Sequence, residues 1–330
     1  MRAFDLCAGA GGFSLGLQRA GFDVLGLELD DDAIDTHRRH VGPCEKADLR
    51  TYHPTERRDV TAGGVPCQPF SDAGKGLALD DPRYLVPDFL RIAREAGSRA
   101  VLLENVRGLV KKPRAFRAVL DLFEAEWLTT WTVLDAADFG VPQHRDRVFV
   151  VGFKDAAARA RFRWPVPSHA PPGGLFGAPY RTVRQALDLL PGRAFRSGRE
   201  EGASGWQGQR LLDVDAPGFA IEGGGGAEPL PNRRQRERLG AELEAAGLAD
   251  RPATTVDTKP TLSRAGRGHR DPQKDGAVRL SVEQCALLQG FPPGWTWTGN
   301  KGSQHRQVGN AVPPALAEAM GRAVREALLG

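Results

Sequence analysis

Cysteine and long apolar segments are scarce in this sequence. The 330 residues include four cysteines, and none of them forms a C-x-x-C pair. The spacing typical of zinc ligands is therefore absent, and free thiols in a reducing compartment are the simplest interpretation. No apolar run reaches the length of about 18 residues that a membrane-spanning helix needs. Asp5 stands where a secretory signal peptide would carry its apolar stretch, so we expect a cytoplasmic protein.

The charge balance restricts the possible partners only weakly. The chain has 45 Lys and Arg against 41 Asp and Glu, a formal net charge of +4. Such a mild basic excess is compatible with a nucleic-acid partner without requiring one. Arginine greatly outnumbers lysine, which suits contacts to phosphate and guanine, although a GC-rich genome would produce the same bias.

Residues 1–153 alternate between strand and helix patterns. Short apolar strands are expected at 4–7, 24–29, 59–65 and 100–103, with later strands at 131–134 and 147–153. Helical spacing is expected at 13–20, 84–96 and 115–126. This alternation predicts an α/β fold with a doubly wound, mostly parallel sheet.

The pattern changes near residue 165. Residues 165–226 are rich in proline, glycine and arginine, and their periodicity fades, which indicates a second, smaller and irregular domain. Order returns with a predicted helix at 281–289, which Ser281 caps and Gly290 ends. A last helix is predicted at 313–328, with proline in its first turn.

A glycine cluster follows the first strand, in the segment 5–13, DLCAGAGGF. Glycines between a strand and a helix allow a ligand to approach the backbone closely, although a tight turn alone would also use them. Ser14 stands where a dinucleotide fingerprint would have its third glycine, which counts against a dinucleotide site. Glu28 ends the next strand and could accept bonds from ribose hydroxyls, and Asp48 could accept one from an adenine amine. Either acid could instead be a solvated surface group.

Cys67 follows the third strand in the segment 63–71, GGVPCQPFS. The prolines on both sides fix φ and remove N–H donors, which gives a rigid loop. A thiol held in this way can act as a nucleophile if its pKa is lowered. The alternative is a buried, unreactive cysteine.

Three further motifs carry polar groups. Glu104 directly follows the strand 100–103, and it would share one sheet edge with Cys67 and could act as an acid there. Alternation in the segment 143–147, QHRDR, places Gln143, Arg145 and Arg147 on one side, where the guanidiniums suit phosphate, a carboxylate or a base carbonyl. The segment 307–314, QVGNAVPP, predicts a polar turn before the final helix.

In this order, the motifs resemble those of the bacterial DNA cytosine-C5 methyltransferases. The resemblance rests on Pro66-Cys67-Gln68, Glu104-Asn105-Val106 and Gln143-x-Arg145-x-Arg147, and it covers the first half of the chain and the last fifty residues. It implies a catalytic lobe at residues 1–168, which residues 307–330 complete. It also implies a target-recognition lobe with a hinge at residues 169–306.

The resemblance also implies S-adenosylmethionine as the methyl donor and S-adenosylhomocysteine as the product. The family's cofactor positions correspond here to Cys7, Gly9, Gly11, Gly12, Glu28, Leu29, Asp48, Leu49, Pro66, Asn310, Ala311 and Val312. The family usually has phenylalanine where this chain has Cys7, which offers less surface to the adenine.

In the implied reaction, the thiolate of Cys67 adds to C6 of a flipped-out cytosine, so that C5 becomes nucleophilic. Glu104 would bond to or protonate N3, and Arg147 would stabilise charge on O2, with Arg145 as a second candidate for that role.

Double-stranded DNA is the implied partner. Candidate DNA contacts are Gln68, Ser71, Gln143, Arg233, Arg234 and Arg236. A monomer associated with the nucleoid, and a cognate restriction endonuclease that acts separately, complete these expectations. The alternatives are a tRNA cytosine-C5 methyltransferase, a non-catalytic DNA-binding relative and, more distantly, a nicotinamide dehydrogenase.

Overall fold

A seven-stranded sheet forms the centre of the molecule. The structure is a computed structural model that describes residues 1–66, 84–171, 177–182, 185–186, 218–219 and 281–330. The strand order is β3-β2-β1-β4-β5-β8-β6. These strands are β1 (Arg2–Leu6), β2 (Asp23–Glu28), β3 (Cys44–Lys46), β4 (Val60–Gly63), β5 (Ala100–Val106), β6 (Leu128–Asp135) and β8 (Asp146–Phe153).

Two short pairings lie outside this sheet. Strand β7 (Gln143–His144) pairs with β11 (Gly218–Phe219), and β9 (His169–Ala170) pairs with β10 (Ala178–Pro179). The helices of the described residues are α1 (Gly12–Arg19), α2 (Asp31–His40), α3 (Val86–Glu95), α4 (Pro113–Glu124), α5 (Ala156–Arg161), α6 (Val282–Leu288), α7 (Lys301–Asn310) and α8 (Pro314–Leu329). Among the described residues, no helix is both long and apolar enough to cross a membrane.

Both faces of the sheet are covered, which explains the continuous apolar runs in its central strands. Successive side chains of β5 point to opposite faces. Ala100 and Leu102 therefore join the core beneath α1, α5 and α8, whereas Val101 and Leu103 join the core beneath α3 and α4. This three-layer arrangement confirms the predicted doubly wound fold.

The sheet is parallel from β3 to β5 and antiparallel where β8 joins β5 and β6. The late strands 131–134 and 147–153 of the prediction are thus the antiparallel edge of a mostly parallel sheet. Because β5 and β8 run in opposite directions, the carboxyl end of β5 meets the amino end of β8 at the same edge of the sheet.

The predicted ends of the C-terminal helices are confirmed. Ser281 and Gln284 form a capping box, in which each side chain accepts from the other residue's backbone N–H. Gly290 follows α6 with φ of +84°, a left-handed conformation that glycine adopts without steric cost. Pro314 occupies the first turn of α8.

The prediction of a polar turn at residues 307–314 is wrong for the first part of that segment. Gln307, Val308 and Asn310 belong to the last turns of α7, and the chain turns only at residues 311–313. Helix α7 has little apolar periodicity because its sequence, KGSQHRQVGN, is mostly polar. Its N-cap, Asn300, accepts from the Ser303 N–H and marks its start.

Part of the segment that the sequence analysis grouped with the recognition lobe packs on the catalytic lobe. Phe291, Trp295 and Trp297 form a core cluster with Ala10, at the start of α1. The Trp295 ring also stacks on His40 of α2, with ring centroids 4.4 Å apart. Residues 281–306, which the sequence analysis grouped with the recognition lobe, therefore contact the catalytic lobe.

Candidate active site

Four parts of the predicted site meet at the carboxyl edge of the parallel strands. The glycine loop 7–12 follows β1, Glu28 ends β2, Pro66 follows β4, and Glu104 lies near the end of β5. This edge is where open α/β sheets bind their ligands. The structure thus brings together residues that are far apart in the sequence.

A cavity of about 180 Å³ opens between β1, β2 and the segment after β3. Its lining is apolar around two carboxylates, and consists of Cys7, Leu27, Glu28, Leu29, Ala47, Asp48, Leu49, Arg50, Pro66 and Leu85. Apolar walls suit a purine ring, and a carboxylate suits ribose hydroxyls or a cationic donor. Six predicted cofactor residues line this cavity: Cys7, Glu28, Leu29, Asp48, Leu49 and Pro66.

The carboxylate of Glu28 is fixed by backbone donors. Its Oε2 accepts from the N–H of Gly9 at 2.8 Å, and its Oε1 accepts from the N–H groups of Leu29 and Asp30 at 2.6 and 3.0 Å. Oε2 accepts only one of these bonds and can accept another, so the group is oriented without being saturated. Glu28 therefore also connects the glycine loop to the end of β2.

The glycine loop leaves room for a ligand against its backbone. Gly9 has φ of +54°, and a Cβ built there would meet nothing within 4 Å. Gly12 lies so close to the C-terminal segment that a Cβ there would be 2.3 Å from the carbonyl oxygen of Val312. The residues present therefore fit S-adenosylmethionine: an open glycine backbone, an oriented carboxylate and apolar walls.

Two cofactor candidates have features that the sequence did not indicate. Among the described residues, Cys7 is the only non-glycine residue with positive φ, at 57°. Burial raises the pKa of its thiol, and the neighbouring acid Glu28 adds to the shift. The carboxylate of Asp48 accepts from Arg50 Nε at 2.9 Å, and hydrogen bonds from Arg50 lower its pKa.

Glu104 and Arg147 form a buried ion pair beside this cavity. Nε of Arg147 lies 2.9 Å from Oε1 of Glu104, and their side chains are 11% and 9% exposed. The antiparallel pairing places Arg147 opposite Val106, close enough to reach back to Glu104. Burial raises the pKa of Glu104, although Arg147 and Arg145 partly oppose the shift. The carboxyl group therefore keeps its proton to higher pH than an exposed glutamate does.

The residue after Glu104 holds the loop that leads to Cys67. Nδ2 of Asn105 donates to the carbonyl of Val65 at 3.2 Å, and its Oδ1 accepts from the N–H of Val106. Gly64 lies so close that a Cβ there would be 3.1 Å from Oε2 of Glu104. The backbone of residues 64–66 is therefore fixed against the Glu104 carboxyl group.

Arg145 binds the C-terminal segment. Its Nη2 donates to the carbonyls of Gly309 and Ala311 at 2.7 and 3.2 Å, and the residue is 2% exposed. Gln289 donates to the same Ala311 carbonyl at 2.7 Å. Arg145 thus positions Ala311 and Val312, two predicted cofactor residues, and Arg147 is the arginine that reaches Glu104.

The other members of the segment 143–147 have different surroundings. Gln143 is fully buried, and its amide atoms have no hydrogen-bond partner among the described residues. Nδ1 of His144 lies 2.6 Å from Asp135, and Asp146 accepts from Arg107 at 2.9 Å. Asp146 therefore pairs with Arg107 of the neighbouring segment.

Several predicted site residues lie outside the described residues. These are Cys67, Gln68, Ser71, Arg233, Arg234 and Arg236. Asn310, the last residue of α7, is exposed beside the glycine loop's neighbours Ala311 and Val312.

The sequence analysis missed two polar groups behind the site. Gln289 was predicted only as the last residue of the helix 281–289, yet its buried Nε2 donates to the Ala311 carbonyl. Ser14 was judged only as a missing glycine, yet its Oγ lies 2.6 Å from Asp5 and 2.9 Å from His37. No short-range pattern in the sequence indicates this contact.

Comparison with known proteins agrees with the geometry. The doubly wound sheet, the glycine loop and the oriented carboxylate of Glu28 fit a Rossmann-like, S-adenosylmethionine-dependent methyltransferase. The family model for C-5 cytosine-specific DNA methylases matches residues 1–326. The chain therefore belongs to this family, and it transfers a methyl group from S-adenosylmethionine to C5 of cytosine in DNA.

Individual relatives span nearly the whole chain. The type II methyltransferase M.NaeI of Lentzea aerocolonigenes is 37% identical, over 99% of this chain and 75% of its own length. M.NgoMIV of Neisseria gonorrhoeae is 35% identical, over 99% of this chain and 97% of its own length. The solved structure of the S. pombe Dnmt2 methyltransferase has the same fold, with a TM-score of 0.60, 16% identity and 99% of both chains covered.

Proposed function

We propose that Glu104 and Arg147 hold the target cytosine and that Cys67 is its covalent nucleophile. The observation that carries this proposal is the buried Glu104–Arg147 ion pair at the carboxyl edge of the sheet. Asn105 ties that pair to the backbone of Val65, two residues before Cys67. The loop bearing the thiol thus leaves the sheet beside a carboxyl group and a guanidinium.

These groups divide the work of making C5 nucleophilic. The Cys67 thiolate forms a bond to C6, and Glu104 donates a proton or hydrogen bond to N3 as the ring accepts charge. Arg147 donates to O2 and stabilises its developing negative charge. After methyl transfer, a base removes the C5 proton and the C6–sulfur bond breaks, which restores the thiolate. The bound S-adenosylmethionine supplies the electrophilic methyl group.

The cytosine must leave the DNA helix to reach this pocket. C6 is covered inside a stacked duplex, and extrusion of one base costs a few kcal/mol. Contacts to the base and to flanking phosphates offset that cost. Gln68, Ser71 and Gln143 remain our candidates for contacts near the flipped base.

Cofactor binding is assigned to the cavity between β1, β2 and Pro66. The oriented carboxylate of Glu28 would accept from the ribose, and Leu29, Leu49 and Pro66, which line the cavity, would enclose the adenine. The backbone at Gly9 faces open space. Gly12 lies against Val312, and Arg145 and Gln289 hold the adjacent Ala311 carbonyl in place.

Trapping on DNA that contains 5-fluorocytosine tests the catalytic assignment. The fluorine cannot leave as the proton does, so wild type accumulates a covalent complex after methyl transfer. Cys67→Ser should form none. Glu104→Gln should form the complex about 10²–10⁴-fold more slowly, because it cannot protonate N3.

A surface ion pair provides the matched control. Arg94 and Glu126 lie 2.8 Å apart, and the Arg94 side chain is 56% exposed. Arg94→Gln should trap at the wild-type rate. Wild-type trapping by Cys67→Ser, or by Glu104→Gln, would contradict the assigned roles.

The recognition lobe is proposed to contact the DNA backbone through Arg233, Arg234 and Arg236. Each phosphate contact contributes about −0.9 to the slope of log K against log salt. Single alanine variants should therefore bind DNA with a shallower slope. An unchanged slope would assign these arginines to a solvated helix face.

The finer substrate and partner statements are also proposals. We infer sequence-specific methylation of duplex DNA by a monomer that associates with the nucleoid, alongside a separately acting restriction endonuclease. Methyl transfer to duplex DNA, with none to tRNA, is the expected result. Sequencing of methylated DNA from expressing cells would reveal the recognised site, and light scattering would measure the oligomeric state.

A further inference from the structure

A buried chain of three polar side chains lies behind the glycine loop. Oδ2 of Asp5, at the end of β1, is 2.6 Å from Oγ of Ser14 in α1. The same Oγ is 2.9 Å from Nε2 of His37 in α2, whose Nδ1 lies 3.3 Å from the carbonyl oxygen of Gly42. None of the three side chains is more than 1% exposed. The reaction described above uses none of them.

The chain is in direct contact with the loop that forms the cofactor site. A Cβ built on Gly11 would lie 3.0 Å from Cδ2 of His37, and one built on Gly26 would lie 2.8 Å from its Nε2. The imidazole is thus enclosed between the glycine loop and β2. A change in the ring's position would therefore reach the loop directly.

The donors and acceptors along this row of three side chains determine how many protons the three side chains carry together. The Gly42 carbonyl can only accept, so Nδ1 of His37 must carry a proton to bond to it. In a neutral imidazole, Nε2 is then an acceptor, and the Ser14 hydroxyl donates to it. Ser14 can donate only once, so the bond between Ser14 and Asp5 then requires a protonated Asp5 carboxyl.

Only one other arrangement forms every hydrogen bond, and it places the extra proton on His37 instead of Asp5. An imidazolium at His37 donates from Nε2 to Ser14, and Ser14 donates to an ionised Asp5. Both arrangements hold one proton more than ionised Asp5 with neutral His37. The chain is fully hydrogen-bonded only when that proton is present.

The surroundings of Asp5 favour the arrangement with a protonated carboxyl. Burial raises its pKa from 3.8 to about 7, against the hydrogen bonds from Ser14. The acids Glu28, on the neighbouring strand β2, and Glu104, on β5, raise it further. Oδ1 of Asp5 is buried without a hydrogen-bond partner among the described residues, which is costly for a charged carboxylate.

The surroundings of His37 disfavour the imidazolium. Burial lowers its pKa from 6.5 to about 4, and Arg38 adds to that shift, although the bond to Gly42 opposes it. The nearby thiol of Cys44 stays neutral, because burial raises its pKa to about 12. Below about pH 7, neutral His37 and protonated Asp5 are therefore the favoured pair.

We propose that Asp5, Ser14 and His37 share one proton, and that this proton holds the glycine loop in the shape that binds S-adenosylmethionine. The three are positioning residues, since they act on the cofactor through the loop. Loss of the proton to solvent leaves an ionised Asp5, to which Ser14 donates. Nε2 of His37 then faces the Ser14 oxygen without a hydrogen between them, and the link from α2 to the loop is lost. This inference rests on the proposed cofactor site.

The test measures S-adenosylhomocysteine affinity by calorimetry from about pH 6 to about pH 8.5, on either side of the Asp5 transition. Wild type should bind about five- to tenfold more weakly at the upper end, since one buried hydrogen bond is lost. Asp5→Asn should bind with little change across the range, because its amide donates to Ser14 as the protonated carboxyl does. Ser14→Ala should bind about five- to tenfold more weakly throughout. Titration of the ligand itself is common to all variants.

A spectroscopic measurement reports the proton independently of cofactor binding. The infrared difference between wild type and Asp5→Asn should show the C=O band of a protonated carboxyl near pH 6, and the band should vanish by about pH 8.5. His53→Gln, a variant of an exposed histidine paired with Glu95, should keep the wild-type pH dependence.

Two results would overturn the proposal: no carboxyl band near pH 6, or an Asp5→Asn variant whose affinity varies with pH as wild type does. A separate variant, Glu28→Gln, identifies a failure of the proposed cofactor site. If Glu28→Gln binds S-adenosylhomocysteine with wild-type affinity, the proposed cofactor site is wrong, and so is the coupling of the shared proton to it. The infrared band would still decide whether the proton is shared.

Discussion

The carboxyl group of Glu104 has two opposing influences on its charge. Burial favours its protonated form, whereas Arg147 at 2.9 Å and the nearby Arg145 favour its ionised form. Burial is the stronger influence, so the pKa lies above the usual range for glutamate. A group that must donate to N3 of cytosine benefits from this balance, since the proton remains available at higher pH.

This raised pKa predicts a falling limb in the pH profile of methyl transfer. The reactive form is protonated and is populated below the pKa, so the rate should fall as pH rises through it. Single-turnover rates at saturating DNA and S-adenosylmethionine measure this limb without the effect of cofactor affinity. Glu104→Gln should be slower by about 10²–10⁴-fold and should lack the limb. The same limb in that variant would assign the titration to another group.

The positions of some of these polar groups could be predicted from the sequence, and those of others could not. Glu28 and Glu104 each follow an apolar strand, and the carboxyl ends of parallel strands share one edge, so their proximity could be inferred. The partners of Ser14 lie nine residues before it and 23 residues after it. Only the packing of α1 and α2 on the sheet brings those partners together.

At the scale of elements, helices α1 and α8 pack closely because small residues lie between them. A Cβ on Gly16 would lie 2.4 Å from the Cβ of Ala317 and 2.6 Å from the carbonyl oxygen of Pro314. A Cβ on Gly321 would lie 2.8 Å from that of Ala20. The two glycines therefore allow the C-terminal helix to cover the N-terminal one.

Gly16→Ala should destabilise the protein by about 1–3 kcal/mol, because the added methyl group overpacks this contact. Without the contact, alanine in a helix would stabilise by about 0.5–1 kcal/mol relative to glycine. Chemical denaturation measures the free energy of unfolding.

Gly108→Ala is the matched control for this substitution. Its Cβ would meet the side chain of Val106 at 3.6 Å, an ordinary van der Waals contact. Its stability should stay within about 0.5 kcal/mol of wild type. A Gly16→Ala protein as stable as wild type would show that α1 and α8 can move apart without cost.

Elements with a clear apolar period were predictable from the sequence, and polar elements were not. Helix α3 buries Phe89 and Ile92 on one face, and its pattern predicted it. Helices α2 and α7 carry few apolar residues and were missed. Each is held by tertiary contacts, such as the bond from the Thr298 N–H to Thr36 and that from Gln307 to the Thr298 carbonyl.

At the scale of the whole molecule, the C-terminal helix α8 completes a hydrophobic core to which β1 and α1, at the start of the chain, also contribute. Helix α8 buries Leu316 and Met320 fully against α1 and the sheet. Residues 309–312 then lie against Gly12 and under Arg145. We therefore expect stability and cofactor binding to be coupled through the C-terminal segment.

Met320→Ala should cost about 2–5 kcal/mol of stability, since it leaves a cavity in this core. Leu329→Ala, at a site that is 61% exposed, should change stability by less than about 0.5 kcal/mol. Thermal unfolding with and without S-adenosylhomocysteine measures both variants. Equal midpoints for the two would contradict the buried packing of α8.

The sequence by itself determined the fold class and the family, and it predicted the edge of the ligand site and the catalytic residues. These follow from local apolar periods and short motifs, which depend on neighbours in the chain. Only the tertiary structure decided that Arg147 pairs with Glu104, that Arg145 holds residues 309–311, and that Phe291, Trp295 and Trp297 pack with Ala10. It also brought Asp5, Ser14 and His37 together. These contacts join residues far apart in the chain, and burial, which no local pattern reports, determines their charge.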